Sequence, residues 1–151
     1  MNAATALTYL HVIKVPNAAG SNIGIFGPSS TGGTGLEVLQ HKVVGIDTYL
    51  RINNTGRTSG SNLLFGDDVQ SLTEIYGNAT NVTAYYNNSS VSLSSSAALP
   101  TLNFNGVYAI GRYASGQYCI GKFQFVVIYA ASKSGDRATI TSEINGFYSI
   151  Y

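Results

Sequence analysis

The chain has 151 residues, the usual size of one domain, and 44% of them are hydrophobic, which is enough to fill one core between two packed layers. Only 10% are charged, the formal net charge is +1, and the lysines and arginines lie singly along the chain. A nucleic-acid binder needs clustered cations to neutralise phosphates, so this pattern argues against that function class. We therefore expect a single domain over residues 1–151 with a neutral surface rich in hydroxyl and amide groups.

Cys119 is the only cysteine, so an intrachain disulfide is impossible and the fold is expected to rest on its core. Because Cys119 lies between Tyr118 and Ile120, we predict that it is a small buried hydrophobic residue. The first seven residues have neither a basic segment nor a long apolar one, so no secretion signal is expected. The longest apolar run, residues 125–131, is too short to span a bilayer, and we expect no membrane insertion.

The first half of the chain predicts four strands. The first strand ends before Pro16, which has no N–H to donate to a ladder. In the fourth strand, side chains expected to face the core alternate with side chains expected to face outward, and this period of two indicates a half-buried strand. The predicted strands cover residues 6–15, 22–27, 36–44 and 46–53, and the glycine-rich and hydroxyl-rich residues 54–62 are predicted to form an exposed loop.

The second half predicts further strands. Residues 69–76 fit helical spacing, but their β-branched side chains and the strands around them favour a strand. A turn at 77–80 leads into a strand over 81–86, which ends at Asn87 and Asn88, residues that tolerate left-handed backbone. Two more strands follow over 104–113 and 118–130. The last is expected to lie centrally in its sheet, with one face formed by Phe123, Phe125, Val127 and Tyr129.

Only the C-terminus predicts a helix. Ser132 or Ser134 is the expected N-cap, and Asp136 suits the first turn. The apolar side chains that recur at helical spacing are Ile140, Ile144, Phe147 and Tyr148. Abundant Gly, Ser, Thr and Asn elsewhere favour turns and strands, so the predicted fold is all-β: two antiparallel sheets in a jelly-roll sandwich, with one short helix packed beside it.

Several stretches resemble bacterial and phage domains of the laminin G-like, concanavalin A-like lectin superfamily. They are residues 72–88, residues 109–111, the strand sequence Gly-Lys-Phe-Gln-Phe-Val-Val-Ile-Tyr at 121–129, and residues 137–151. The resemblance implies a two-sheet jelly-roll sandwich. Two departures from the family pattern argue against carrying over a ligand site: Asn87-Asn88 replaces an Asn-Gly turn, and Phe125 stands where relatives often have Glu.

The sequence predicts no catalytic residues, metal or cofactor. Glycoside hydrolysis requires two carboxylates that flank one bond, whereas Glu74 and Glu143 are each expected to stand alone. His11 and His41 are expected to be ordinary strand residues because neither lies near a recognisable nucleophile. The only plausible calcium donors are Asp47, Asp67 and Asp68, which we interpret as solvated loop acids.

Sugar binding is the most plausible ligand function. The chain has 11 tyrosines and no tryptophan, and a tyrosine ring can stack on a pyranose while its hydroxyl stays wet. The predicted ligand-binding residues lie near strand ends and are Tyr85, Tyr86, Tyr113 and Tyr118. The alternative, that these rings fill the core, stays open at this point.

Two functions follow from these observations. The leading hypothesis is a non-catalytic structural protein of a bacteriophage virion, such as a capsid decoration, spike or fibre subunit, located on the virion surface. Its expected partners are other virion proteins, in a homo-oligomer or symmetric assembly. The alternative is a carbohydrate-binding adhesion module on a bacterial cell surface or outside the cell, with a host surface glycan as partner.

Overall fold

The computed structural model describes residues 4–14, 22–28, 36–41, 48–52, 55–59, 68–94, 96–99, 101–102, 108–113, 117–119 and 121–151. The first strands are β1 (Leu7–Lys14), β2 (Asn22–Pro28), β3 (Leu36–His41), β4 (Thr48–Ile52), β5 (Thr55–Ser59) and β6 (Gln70–Gly77). The others are β7 (Val82–Tyr86), β8 (Ser89–Val91), β9 (Tyr108–Ile110), β10 (Arg112–Tyr113), β11 (Gln117–Tyr118) and β12 (Lys122–Tyr129). A 3-10 turn (Ser134–Asp136) then leads into helix α1 (Arg137–Tyr148).

The strands form two five-stranded antiparallel sheets and one short hairpin. The first sheet has the order β12-β1-β6-β7-β8, and the second has the order β5-β4-β3-β2-β9. Strands β10 and β11 pair with each other and lie beside β2. The predicted all-β sandwich is therefore confirmed.

The core lies between the two sheets. Tyr9 and Ile13 point inward from β1, and Ile25 and Phe26 meet them from β2. The rings of Tyr9 and Phe26 lie 5.5 Å apart between centroids, and Phe26 stacks on Tyr108 of β9 at 5.3 Å. The Tyr9–Phe26 contact joins the two sheets, and the Phe26–Tyr108 contact extends this apolar layer along the second sheet, as the alternating apolar residues predict.

Helix α1 covers the outer face of the first sheet. Leu10 and Val12 of β1 and Leu72 of β6 point to this side, where they pack with Ile144 of the helix. Strand β1 is consequently buried on both faces from Leu7 to Ile13. Within the described residues, no helix is both long and apolar enough to cross a bilayer.

A β-bulge in β12 makes one predicted strand face wrong. The consecutive residues Val12 and Ile13 of β1 lie opposite Phe125 and Phe123, so Gln124 is an extra residue on β12. Phe123 therefore packs into the core between the sheets, while Phe125 packs on the helix side. Among the described strands, β12 also lies at the edge of its sheet and not centrally.

Two strands form in stretches rich in Gly, Ser or Thr. The predicted loop over 54–62 contains β5, which pairs with β4 along its whole length. The serine-rich stretch after Asn88 contains β8, which pairs with β7. Ladder hydrogen bonds to an existing strand outweigh the weak local preferences of Gly, Ser and Thr in both cases. The ambiguous segment over 69–76 is confirmed as a strand, β6.

The predicted helix is confirmed, but its start and one face residue differ. Asp136 occupies the N-cap position, whereas Ser132 and Ser134 hydrogen-bond to each other at 3.2 Å. The 3-10 turn places both serines one turn too early to cap the helix. The face of the helix that packs on the sheet contains Ile144 and Tyr148, and Phe147 lies outside this face and is 81% exposed.

Candidate functional site

The β10–β11 hairpin begins at a backbone bend that Gly111 makes possible. Gly111 has a φ of +76°, a conformation that residues with a Cβ rarely adopt. Its N–H donates to the Ile25 carbonyl at 2.8 Å, and its carbonyl accepts from the Cys119 N–H at 2.8 Å. These two bonds fix the hairpin against β2.

Large apolar groups are exposed on this hairpin and next to it. Tyr118 is 58% exposed, and Ile110, just before the bend, is 57% exposed. In the ladder, Tyr118 lies opposite Arg112, and Tyr113 lies opposite Gln117. Tyr113 and Tyr118 therefore belong to successive rungs of one two-stranded unit, positions that alternate between its two faces, and the side chain of Tyr113 lies outside what the structure describes.

Tyr85 and Tyr86 lie on opposite faces of β7. Tyr86 packs against the core between the sheets, and Tyr85 packs on the helix side. The four predicted ligand-binding tyrosines thus do not form one site. Tyr113 and Tyr118 belong to one hairpin, whereas Tyr85 and Tyr86 are half-buried and pack on opposite faces of β7.

The guanidinium group of Arg137 lies over the ring of Tyr85. The Arg137 guanidinium carbon lies 3.5 Å from the ring centroid, and Tyr76 meets the same ring edge-on at 6.1 Å. The arginine Nη2 also donates to the Asn88 carbonyl at 3.2 Å and to Asn88 Oδ1 at 2.8 Å. This arrangement ties the start of α1 to the β7–β8 turn, where Asn88 has the predicted left-handed backbone.

Glu74 lies at the centre of a buried network on the same face. It is fully buried and lies 3.3 Å from Arg137 Nη2. The Tyr76 hydroxyl donates to Oε2 at 2.7 Å, and the Thr141 hydroxyl does so at 2.9 Å. Burial, together with its hydrogen bond to Glu74, raises the pKa of Tyr76. A carboxylate with these partners fastens the helix to the sheet.

The loop acids considered as calcium donors and the single cysteine show no arrangement for chemistry in the described residues. Asp68 forms an ion pair with Lys14 at 3.3 Å, and Asp47 and Asp67 lie outside the described residues. The part of the chain that the structure describes holds no group of three His, Cys, Asp or Glu residues able to bind a metal ion. Cys119 is half-buried and packs against the core, and burial raises the pKa of its thiol.

The chain was compared with known proteins. No protein-family model and no curated protein matches it. Solved structures do match: a native heptameric SAP-like pentraxin from Limulus polyphemus has a TM-score of 0.69 at 12% identity, covering 92% of this chain and 70% of the pentraxin. The fold is a jelly-roll β-sandwich.

Two further structures have the same fold. The CBM40 of the Ruminococcus gnavus IT-sialidase, bound to α2,3-sialyllactose, has a TM-score of 0.59 at 12% identity, over 91% of this chain and 83% of the module. The NanB sialidase of Streptococcus pneumoniae has a TM-score of 0.68 at 13% identity, over 90% of this chain. Only 24% of the sialidase chain is covered, so the likeness concerns the sandwich and not the whole enzyme.

Proposed function

We propose that this chain is a non-catalytic carbohydrate-binding domain of the concanavalin A-like type and that it binds glycans through the β10–β11 hairpin. The observation that carries the proposal is the exposure of Tyr118, 58%, on the β10–β11 hairpin. An exposed tyrosine can cover the apolar face of a sugar ring while its hydroxyl remains hydrated. The likeness to a CBM40 bound to sialyllactose supports the same class of ligand.

The hairpin suits this role because its backbone is fixed before a ligand arrives. Gly111 bonds to β2 on one side and to Cys119 on the other. Tyr118 is therefore presented from a hydrogen-bonded ladder and not from a free loop end. A backbone that is already fixed loses little conformational freedom on binding, which favours affinity.

The absence of catalysis is part of the proposal. Both oxygens of Glu74 already accept hydrogen bonds from Arg137, Tyr76 and Thr141 beneath the helix. This carboxylate is therefore poorly placed to act as one of the two acids that glycoside hydrolysis uses. Glu143 lies on the exposed side of α1, away from Glu74.

A laminin G-like relationship and a role in a virion are more specific proposals than carbohydrate binding. The pentraxin, the CBM40 and the sialidase support the sandwich and a glycan-binding surface more directly than a phage particle. A symmetric assembly stays in the proposal, since the pentraxin is heptameric. Location on a virion, on a cell surface or outside the cell stays a prediction.

Glycan-array screening followed by calorimetry tests the proposal. Wild-type protein should bind at least one glycan, and Tyr118→Ala should weaken that binding about tenfold, the loss of about 1.4 kcal/mol expected for one stacking ring. Tyr129→Ala is the matched control, because Tyr129 is also an exposed tyrosine, 44%, but lies on β12. The control should bind as wild type. No binding to any glycan, or unchanged affinity in Tyr118→Ala, would refute the proposal.

A further inference from the structure

A cavity of about 280 Å³ opens on the helix side of the first sheet. It lies between the β7–β8 turn, one side of α1 and the C-terminal residues. Its wall presents polar and apolar surface in similar amounts, and the lining residues are Asn88, Arg137, Ala138, Thr141, Ser142, Asn145 and Tyr151. This volume is just below the roughly 300 Å³ at which small-molecule sites begin, so it suits a ligand the size of one ring.

The wall of the cavity is held in place by its own hydrogen bonds. Asn145 Oδ1 accepts from the N–H of Ile150 at 2.9 Å and from that of Tyr151 at 3.0 Å. Its amide nitrogen donates to the Tyr151 carbonyl at 2.9 Å. Asn145 thus fixes the last residues against the helix, and the Tyr151 ring remains 50% exposed at the cavity.

Ser142 offers an exposed donor at the cavity. The hydrogen bonds of Arg137 described above all use Nη2, and its Nε, although without a hydrogen-bond partner among the described residues, is buried and not open to a ligand. Burial and the charge of Glu74 raise the pKa of the Tyr151 phenol, and the charge of Arg137 partly opposes them. Hydroxyl groups of a ligand can accept from the Ser142 hydroxyl.

The charge at the cavity is balanced. Arg137 is the cation of the wall, and it is paired with the fully buried Glu74 at 3.3 Å. An anionic ligand would be drawn by the guanidinium and opposed by the carboxylate just behind it. A neutral ligand with several hydroxyl groups is neither attracted by the guanidinium nor repelled by the carboxylate. It can still accept hydrogen bonds at the cavity and contact the exposed Tyr151 ring.

We propose that this cavity is a second carbohydrate site, which takes one neutral sugar ring. It lies on the helix side of the first sheet, whereas the β10–β11 hairpin lies beside β2 of the second sheet. The two sites therefore face different directions, and one chain can engage two sugar residues of a branched or dense glycan. Simultaneous engagement would raise the overall affinity through a high local concentration.

The test is a titration of ¹⁵N-labelled protein with glucose, galactose, mannose and N-acetylglucosamine at millimolar concentrations, with the amide signals of Ser142 and Asn145 as the readout. At least one sugar should shift both signals saturably. Ser142→Leu, which fills the cavity from an exposed position, should weaken this binding about tenfold. Thr139→Leu is the matched control, since Thr139 is exposed on the same helix but does not line the cavity, and it should bind as wild type.

The same titration separates this site from the hairpin. Tyr118→Ala should leave the Ser142 and Asn145 shifts unchanged, so loss of hairpin binding with retained cavity binding would refute only the function proposed for the hairpin. The cavity proposal is overturned if no neutral sugar gives saturable shifts or if Ser142→Leu binds as well as wild type. It is equally overturned if inorganic phosphate or acetate, used as anionic probes, shifts these signals and the sugars do not.

Discussion

Buried His11 should make the protein lose stability as the pH falls from 7 to 5. The ring is fully buried between the sheets, with Nδ1 3.0 Å from the Tyr9 hydroxyl. Burial lowers the pKa of His11 from 6.5 to about 3. The folded chain therefore keeps a neutral ring at pH 5, whereas the unfolded chain binds a proton there. Because the unfolded state gains the proton, its stability relative to the folded state rises as the pH falls.

The size of the effect follows from the shift in pKa. Each pH unit below 6.5 lowers the free energy of unfolding by about 1.4 kcal/mol, so the roughly 1.5 units down to pH 5 lower it by about 2 kcal/mol. The stability is fully present above pH 6.5 and is lost progressively toward pH 3, where the folded ring itself titrates. Carboxylates with ordinary pKa values change charge mainly below pH 5, which keeps this window clear of them.

Urea denaturation at pH 7 and pH 5 measures the effect. Wild type should lose about 2 kcal/mol of unfolding free energy between the two, and His11→Gln should lose little, because its side chain cannot titrate. His41→Gln is the control, as His41 is the other histidine of the chain. An NMR titration of wild type gives an independent reading. The reasoning is refuted if the His11 ring titrates near pH 6.5 or if wild type is equally stable at both pH values.

Three substitutions test the packing and the network. Leu7→Ala removes a fully buried side chain from the core between the sheets and should cost about 3 kcal/mol in chemical denaturation; a loss below about 1 kcal/mol would contradict the core assignment. Arg137→Met should lower the free energy of unfolding by about 3 kcal/mol, because it leaves the buried Glu74 charge unpaired. The double variant with Glu74→Leu should recover part of this loss, and no recovery would argue against the ion pair. Gly111→Ala should cost about 1 kcal/mol through its positive φ and lower glycan affinity through Tyr118; wild-type stability and affinity would count against the fixed bend.

The sequence predicts the fold where side-chain pattern and local backbone preference agree. Residues 7–13 combine β-branched and aromatic side chains with a stop at Pro16, and they form β1. The helix follows from the spacing of Ile140, Ile144 and Tyr148. The face of β12 could not be predicted, because the alternation breaks at Gln124, and a bulge depends on pairing with β1 and not on local sequence.

The candidate site was predictable only in part. The position near a strand end selects Tyr85 and Tyr86 as well as Tyr118, and it does not distinguish the exposed ring from the two half-buried ones, because their burial depends on the layers that cover β7. Ligand binding by any of them stays a prediction. The role of Glu74 was missed, although a carboxylate between Leu72 and Tyr76 on one strand face is a signal of a buried polar partner. Naming Arg137 as that partner requires knowing where the helix packs.

Mapping a bound glycan onto the chain by NMR tests the central claim most directly. Labelled protein is titrated with a glycan selected by array screening, and amide shifts are followed residue by residue. The account predicts the largest shifts at Gly111, Tyr113 and Tyr118, with Tyr129 unaffected. Shifts centred on another face that leave these three residues unchanged, or the absence of binding by any glycan, would contradict it.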